Sequence, residues 1–217
     1  FSNFAAATVK FEKGVNTIIG ENGSGKTNLF RAIRLLLDEN LLRMAHRLDE
    51  RDFHRGIGEW RGHWIIISLE FTDVSQDETI QSLFLHATGN IAAATVDRAT
   101  YNLIFRPKAA IRQKLGELAA GVHAGLAALR AKVSLADYET IFTGKSSADF
   151  CDPDIYRSLV GDFDAVAFPE ELTPPEIGGV VPGMFSIARE IGFTFVQALR
   201  DVVADVLGVA LNGAGDD

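Results

Sequence analysis

Residues 15–30 read VNTIIGENGSGKTNLF: an apolar run, a glycine-rich turn, a lysine and a threonine, then a segment of helical periodicity. Gly20-Glu21-Asn22-Gly23-Ser24-Gly25-Lys26-Thr27 meets the pattern G-x-x-x-x-G-K-[ST] at every required position. Each residue type has a physical reason. Gly23 and Gly25 let the backbone curl so that successive N–H groups converge on phosphate oxygens. A helix beginning near Lys26 turns its unpaired N–H groups and partial positive charge toward the same anion. Lys26 adds a mobile cation for the β- and γ-phosphates, and the Thr27 hydroxyl a ligand for Mg²⁺. The bare pattern also occurs by chance. Here an apolar strand expected at residues 15–19 and an amphipathic helix after Lys26 supply the setting that the chemistry requires. The cofactors expected from the motif are therefore a nucleotide and Mg²⁺. Gly20, Glu21, Asn22, Gly23, Ser24, Gly25, Lys26, Thr27 and Asn28 are the expected nucleotide contacts, and Lys26 is also the expected catalytic cation.

The rest of the chain reads as α/β. Residues 1–13 have a partly alternating strand pattern, closed by Gly14. Leu29, Ala32, Ile33, Leu36 and Leu37 form one apolar helix face. Residues 64–71 (WIIISLEF) are the clearest strand, and residues 101–105 a second. Residues 108–132 are rich in alanine and leucine and predict helix, with breaks allowed at Gly116, Gly121 and Gly125. Residues 149–179 hold four of the six prolines, which predicts loops around a short strand at 163–168. Residues 188–207 predict a helix. With 217 residues, 47% of them hydrophobic, the chain buries a real core as one domain. An inserted helical subdomain would fit at about 75–160. A net charge of −8 disfavours a broadly basic nucleic-acid surface. No apolar run approaches the ~18–20 residues that span a bilayer, so no membrane role is expected. Cys151 is the only cysteine, which excludes an intrachain disulfide and makes a cytoplasmic location the expectation.

GENGSGKTNLFRAI resembles the phosphate loops of ABC-type ATPase heads of the SMC, RecF and OLD (overcoming lysogenization defect) kind. The FSNF opening is similar to that family's N-F motif, and VKFEKGVNTIIGENGSGKT follows its order of strand, turn, strand and loop. Leu48 to Phe53 (LDERDF), the strand WIIISLEF, and the late FTFVQALRDVVADV lean toward the OLD branch. The resemblance implies the N-terminal lobe of an ABC-type P-loop ATPase head, with a mixed sheet and helices. It implies ATP-driven closure of two heads, hence a homo-oligomer, and ATP hydrolysis controlling action on DNA. In OLD-type proteins the head is joined to a Toprim nuclease, and several act against phage, which adds a defence-complex partner to the expectations. SMC- and RecF-like relatives instead clamp DNA without cutting it, and a nucleotide-dependent scaffold is a third alternative. DNA would be reached through regions outside this chain. No LSGG-like signature and no apolar strand ending in paired acids stands in these residues, so alone they are expected to bind Mg-ATP and turn it over poorly. Phe168-Pro169-Glu170-Glu171 mimics such an acid pair, but proline there marks a loop.

Weaker signals have ordinary readings beside functional ones. Gln197 lies where the resemblance places the glutamine that reaches Mg²⁺ and the attacking water; an exposed polar position on a helix is an equal reading. Arg200 is a phosphate contact or a partner of Asp201. Arg43, Arg47, Arg51 and Arg55 recur every four residues and would form a basic stripe on a continuous helix. Asp49, Glu50 and Asp52 are interleaved, which favours a solvated, salt-bridged face. The five histidines show no metal-ligand spacing. Cys151 reads as a small apolar residue, and Trp60 and Trp64 as core anchors.

Overall fold

A computed structural model describes residues 1–38, 48–75, 77, 89–92, 95–181, 193–194 and 196. A helix, α1 (Lys26–Leu37), follows the glycine turn. Two 3₁₀ turns (Glu50–Asp52 and Arg55–Ile57) lead to β1 (Ile65–Thr72), β2 (Gly89–Ala92) and the long β3 (Thr95–Pro107). Helices α2 (Ala109–Gly116) and α3 (His123–Arg130) precede β4 (Tyr138–Gly144); α4 (Pro153–Val160) and the short β5 (Gly179–Val180) follow. The strands form one antiparallel sheet in the order β1-β3-β4-β5, with β2 also paired to β3.

The period-2 rule explains how this sheet carries two cores. From β3, Tyr101, Leu103 and Phe105 join Leu35 and Leu36 of α1, Ile65 and Ile67 of β1, and Phe53 and Tyr138. Ile104 points the other way and packs with Trp64, Leu159 and Val160, so α4 covers the opposite face. A third cluster of Leu115, Leu126 and Val166 joins α2 and α3 to the following loop. Full burial of Leu36 or Leu103 contributes about 1.5–3 kcal/mol each. β3 is thus buried on both faces, and its polar residues need partners. Asn102 donates to Thr143 Oγ1 at 3.0 Å and accepts from Ser68 Oγ at 2.6 Å.

Some local expectations hold and others change. Residues 1–13 and 15–19 have no regular strand, and Val15 and Ile19 are 98% and 89% exposed. An apolar run gains the strand conformation only when a neighbour takes up its N–H and C=O groups, and no described strand pairs with it. Residues 163–168 supply only an isolated bridge, Asp162 to Ala167. The helical stretch 108–132 is two helices, separated where Gly121 takes φ +76° and donates to the Ala165 carbonyl. Among the described residues of 75–160, where the sequence leaves room for a helical insertion, β2, β3 and β4 join the sheet and helices flank it. Residues 168–171 are loop, without an acid-terminated strand. Arg51 and Arg55 sit on separate 3₁₀ turns, so they share no continuous helical stripe; Arg43 and Arg47 lie outside the described residues. Of the helix expected at 188–207, only residues 193, 194 and 196 are described, and these three are not in a helix; Gln197 and Arg200 lie outside the described residues. Among the described residues no helix is long and apolar enough to cross a membrane, and no cluster of metal-ligating side chains occurs.

The second core holds a titratable side chain. The His63 ring lies 4.0 Å from the Phe163 ring centre, and its Nδ1 is 3.4 Å from the Tyr156 hydroxyl. Burial, reinforced by the Arg130 guanidinium, pushes its pKa from 6.5 down to about 4. The unfolded chain therefore takes up a proton below about 6.5 that the folded chain refuses until about 4. Stability is fully present above the upper value, falls as pH drops through this window, and changes no further below it. His63→Gln is expected to remove about 2 kcal/mol of the stability lost between pH 7 and pH 5, measured by urea unfolding. Equal pH slopes for both proteins would contradict this.

Candidate functional site

The glycine loop closes on its own lysine. The Glu21 carbonyl accepts from Ser24 N–H at 3.2 Å, making the tight turn. Lys26 Nζ donates to the carbonyls of Gly20 and Glu21 at 2.5 and 2.7 Å, with Ser24 Oγ at 3.4 Å. Gly23 and Gly25 take φ of +83° and +98°, a region that costs other residues about 1–2 kcal/mol. A methyl group on Gly25 would also lie 2.5 Å from Asn3 Nδ2 and 2.7 Å from the Phe4 ring. Glycine is therefore required there twice over.

Whether these residues fit a nucleotide's phosphates is decided at the start of α1. Gly25 caps the helix without a side-chain hydrogen bond, and no acid stands in the first turn. The first helical bond runs from Leu29 N–H to the Gly25 carbonyl. The N–H groups of Lys26, Thr27 and Asn28 have no acceptor among the described residues, so they remain available to an anion. The Thr27 side chain is exposed, and its hydroxyl has no partner among the described residues. These features fit a triphosphate with Mg²⁺. Gly20, Glu21, Asn22, Gly23, Ser24 and Gly25 surround the same turn.

At Asn28 the side chain and the backbone N–H have different roles. Its side-chain amide donates to Ser2 Oγ at 2.9 Å and Asn3 Oδ1 at 2.8 Å, so it holds residues 2–3 rather than reaching for a ligand. Its backbone N–H alone faces the anion end of the helix. Gln197 lies outside the described residues.

Sequence reasoning missed a second support. Arg31, on α1, makes paired hydrogen bonds to the buried Asp52 carboxylate, Nη2 to Oδ2 at 3.2 Å. Asp52 also accepts from Asp49 N–H at 3.0 Å and so closes a capping box. Its carbonyl receives the Ser2 N–H at 2.6 Å, and His54 Nδ1 lies 3.3 Å from the Ser2 carbonyl. The carboxylate and its hydrogen bonds hold the Arg31 pKa above its ordinary value. The LDERDF stretch is thus a clamp between the phosphate-loop helix and residues 1–4. An S/D-x-x-E/D pattern at residues 49–52 was the available signal; its partner, 21 residues away, was not.

Residues 1–114 match a protein family described as AAA domain. Structural maintenance of chromosomes protein 3 of Arabidopsis thaliana is 38% identical over 60 residues, which are 28% of this chain and 5% of that protein. The chain thus spans about a twentieth of that relative's length. No solved structure matches it.

Proposed function

Because the chain belongs to the AAA domain family of P-loop ATPases, in its SMC-like part, we propose that it is the nucleotide-binding lobe of an ATPase head whose ATP state governs assembly and, through assembly, action on DNA. The observation that carries this is the run of unpaired N–H groups at the start of α1 beside Lys26 and Thr27. Mg-ATP binds there, with Thr27 as the metal ligand and Lys26 on the β- and γ-phosphates. Gln197 is proposed as a further contact to Mg²⁺ and the attacking water. ATP favours closure of two heads and hydrolysis releases them, so nucleotide shifts a population between two assemblies. The exposed Val9, Phe11, Val15 and Ile19 support this reading, since an apolar edge of this kind suits pairing with another part of such a head.

Two fuller readings share the lobe. The OLD-like one, an ATP-dependent DNA endonuclease acting in the cytoplasm against phage, rests on the LDERDF, WIIISLEF and FTFVQALRDVVADV resemblances. The clamp reading, without nuclease activity, is favoured by the identity to a chromosome-maintenance protein. Full-length protein incubated with Mg-ATP and plasmid DNA separates them. Cleavage that Lys26→Ala removes supports the nuclease; ATP-dependent DNA retention without cleavage supports the clamp. ATP turnover unchanged by Lys26→Ala would sink the shared proposal.

A further inference from the structure

Beside the Asp52 clamp lies a cleft of about 250 Å³, lined among the described residues by Glu50, Arg51, Phe53, His54, Arg55 and Trp60, with Gly58 at its edge. Nothing in the glycine loop borders it. Among the described residues, Arg51 and Arg55 are the two arginines whose guanidinium groups make no hydrogen bond or ion pair. Both line this one cleft. The nearby acids do not neutralise them. Asp52 is spent on Arg31 and on the Asp49 N–H, and Asp49 accepts from the Arg51 backbone N–H at 2.8 Å. Of the acids in this stretch, only Glu50 lines the cleft, which leaves two guanidinium groups against one carboxylate. The Trp60 indole N–H, also without a described partner, adds a neutral donor.

An excess of donors and positive charge on a partly enclosed wall favours an anion that accepts several hydrogen bonds at once. The floor is apolar: the Phe53 and Trp60 rings pack 5.3 Å apart and back onto Tyr138, which fixes the wall. The volume lies just below the ~300–1,000 Å³ of pockets for drug-sized ligands, so it suits a small anionic group or one end of a longer ligand. We propose that the cleft formed by Arg51, His54, Arg55 and Trp60 is a second anion site, separate from the glycine loop, that takes the phosphate groups of a nucleotide or of a nucleic-acid strand. The shared chemistry is a phosphate oxygen facing two guanidinium forks. The site does not depend on what the glycine loop binds.

The test uses protein carrying Lys26→Ala, which weakens the glycine loop, with and without Arg51→Gln and Arg55→Gln together. Inorganic pyrophosphate is titrated by calorimetry at low salt, and the Trp60 indole N–H is followed by NMR. Pyrophosphate binding that persists in Lys26→Ala, moves the Trp60 signal, and weakens at least about tenfold in the triple variant is the expected result. No binding in Lys26→Ala, or equal binding in the triple variant, overturns the proposal. A variant keeping the charge, Arg51→Lys with Arg55→Lys, should recover part of the affinity. Since neither guanidinium has a partner among the described residues, thermal unfolding should be unchanged in all of them. ATP and a twelve-residue oligothymidylate then serve as parallel ligands. The one whose affinity follows Arg51 and Arg55 identifies the source, and if neither does so the proposal fails.

Discussion

Lys26→Ala is expected to weaken Mg-ATP binding by about tenfold to a hundredfold or more while leaving the fold intact. Each charge-assisted hydrogen bond to a phosphate contributes about 1.5–3 kcal/mol, and Lys26 is positioned to make more than one. The fold should tolerate the change because the ammonium contacts only the loop: the carbonyls of Gly20 and Glu21 and the Ser24 hydroxyl. Alanine also has the highest intrinsic helix propensity, so the substitution does not weaken α1. Calorimetry with Mg-ATP measures the first claim and urea unfolding the second, where a change within about 0.5 kcal/mol is expected. Equal affinity for both proteins would remove Lys26 from the site.

Glu139→Gln is expected to cost about 3 kcal/mol of stability, for a reason unrelated to nucleotide. Arg106 and Arg112 are 5% and 9% exposed and share this one carboxylate, at 3.0 and 3.6 Å. Burial lowers both guanidinium pKa values, Arg112 to about 10 with Arg106 adding repulsion. Arg106 Nη1 and Arg112 Nε are buried without an acceptor, and both cations lie over the Trp64 ring, 5.3 and 5.7 Å from its centre. The ring face offsets part of that deficit. Removing the only charge partner among the described residues leaves two buried cations facing each other, the situation in which breaking a pair costs roughly 3–5 kcal/mol. The Glu139 side chain is 33% exposed, which places the expectation at the lower end. Urea unfolding of the two proteins measures it, and a loss under about 1 kcal/mol would mean that solvent already screens the cluster.

What could be read from the sequence was what is local. The phosphate loop is a contiguous pattern, and α1 announces itself through Leu29, Ala32, Ile33 and Leu36 at helical spacing. β1 and β3 were visible because WIIISLEF and YNLIF bring enough apolar residues to face a core. Residues 15–19 looked equally strand-like, yet pairing is a property of the neighbour and not of the run itself. The same holds for charge. Arg106 lies mid-sheet because Glu139 sits opposite it in register on β4, 33 residues away. Arg31 gave no hint of Asp52, nor Asn28 of Ser2 and Asn3. Asn28 shows the same at the site, where its side chain secures the segment beside Gly25 and leaves its backbone N–H without an acceptor among the described residues. Arg51 and Arg55 share no helical stripe because Phe53 is drawn into the core and divides this part of the chain into two turns.

The N-terminal end of α1, with Lys26 and Thr27, is the proposed seat of the ATP phosphates. The decisive experiment is a crystal structure of the protein with Mg²⁺ and a non-hydrolysable ATP analogue. The expected result is a β-phosphate within hydrogen-bond distance of the Lys26 and Thr27 N–H groups. Lys26 Nζ should have turned from the Gly20 and Glu21 carbonyls to the phosphates, with Mg²⁺ on the Thr27 hydroxyl. Nucleotide bound elsewhere, or Lys26 still held by those two carbonyls beside a bound nucleotide, would contradict it.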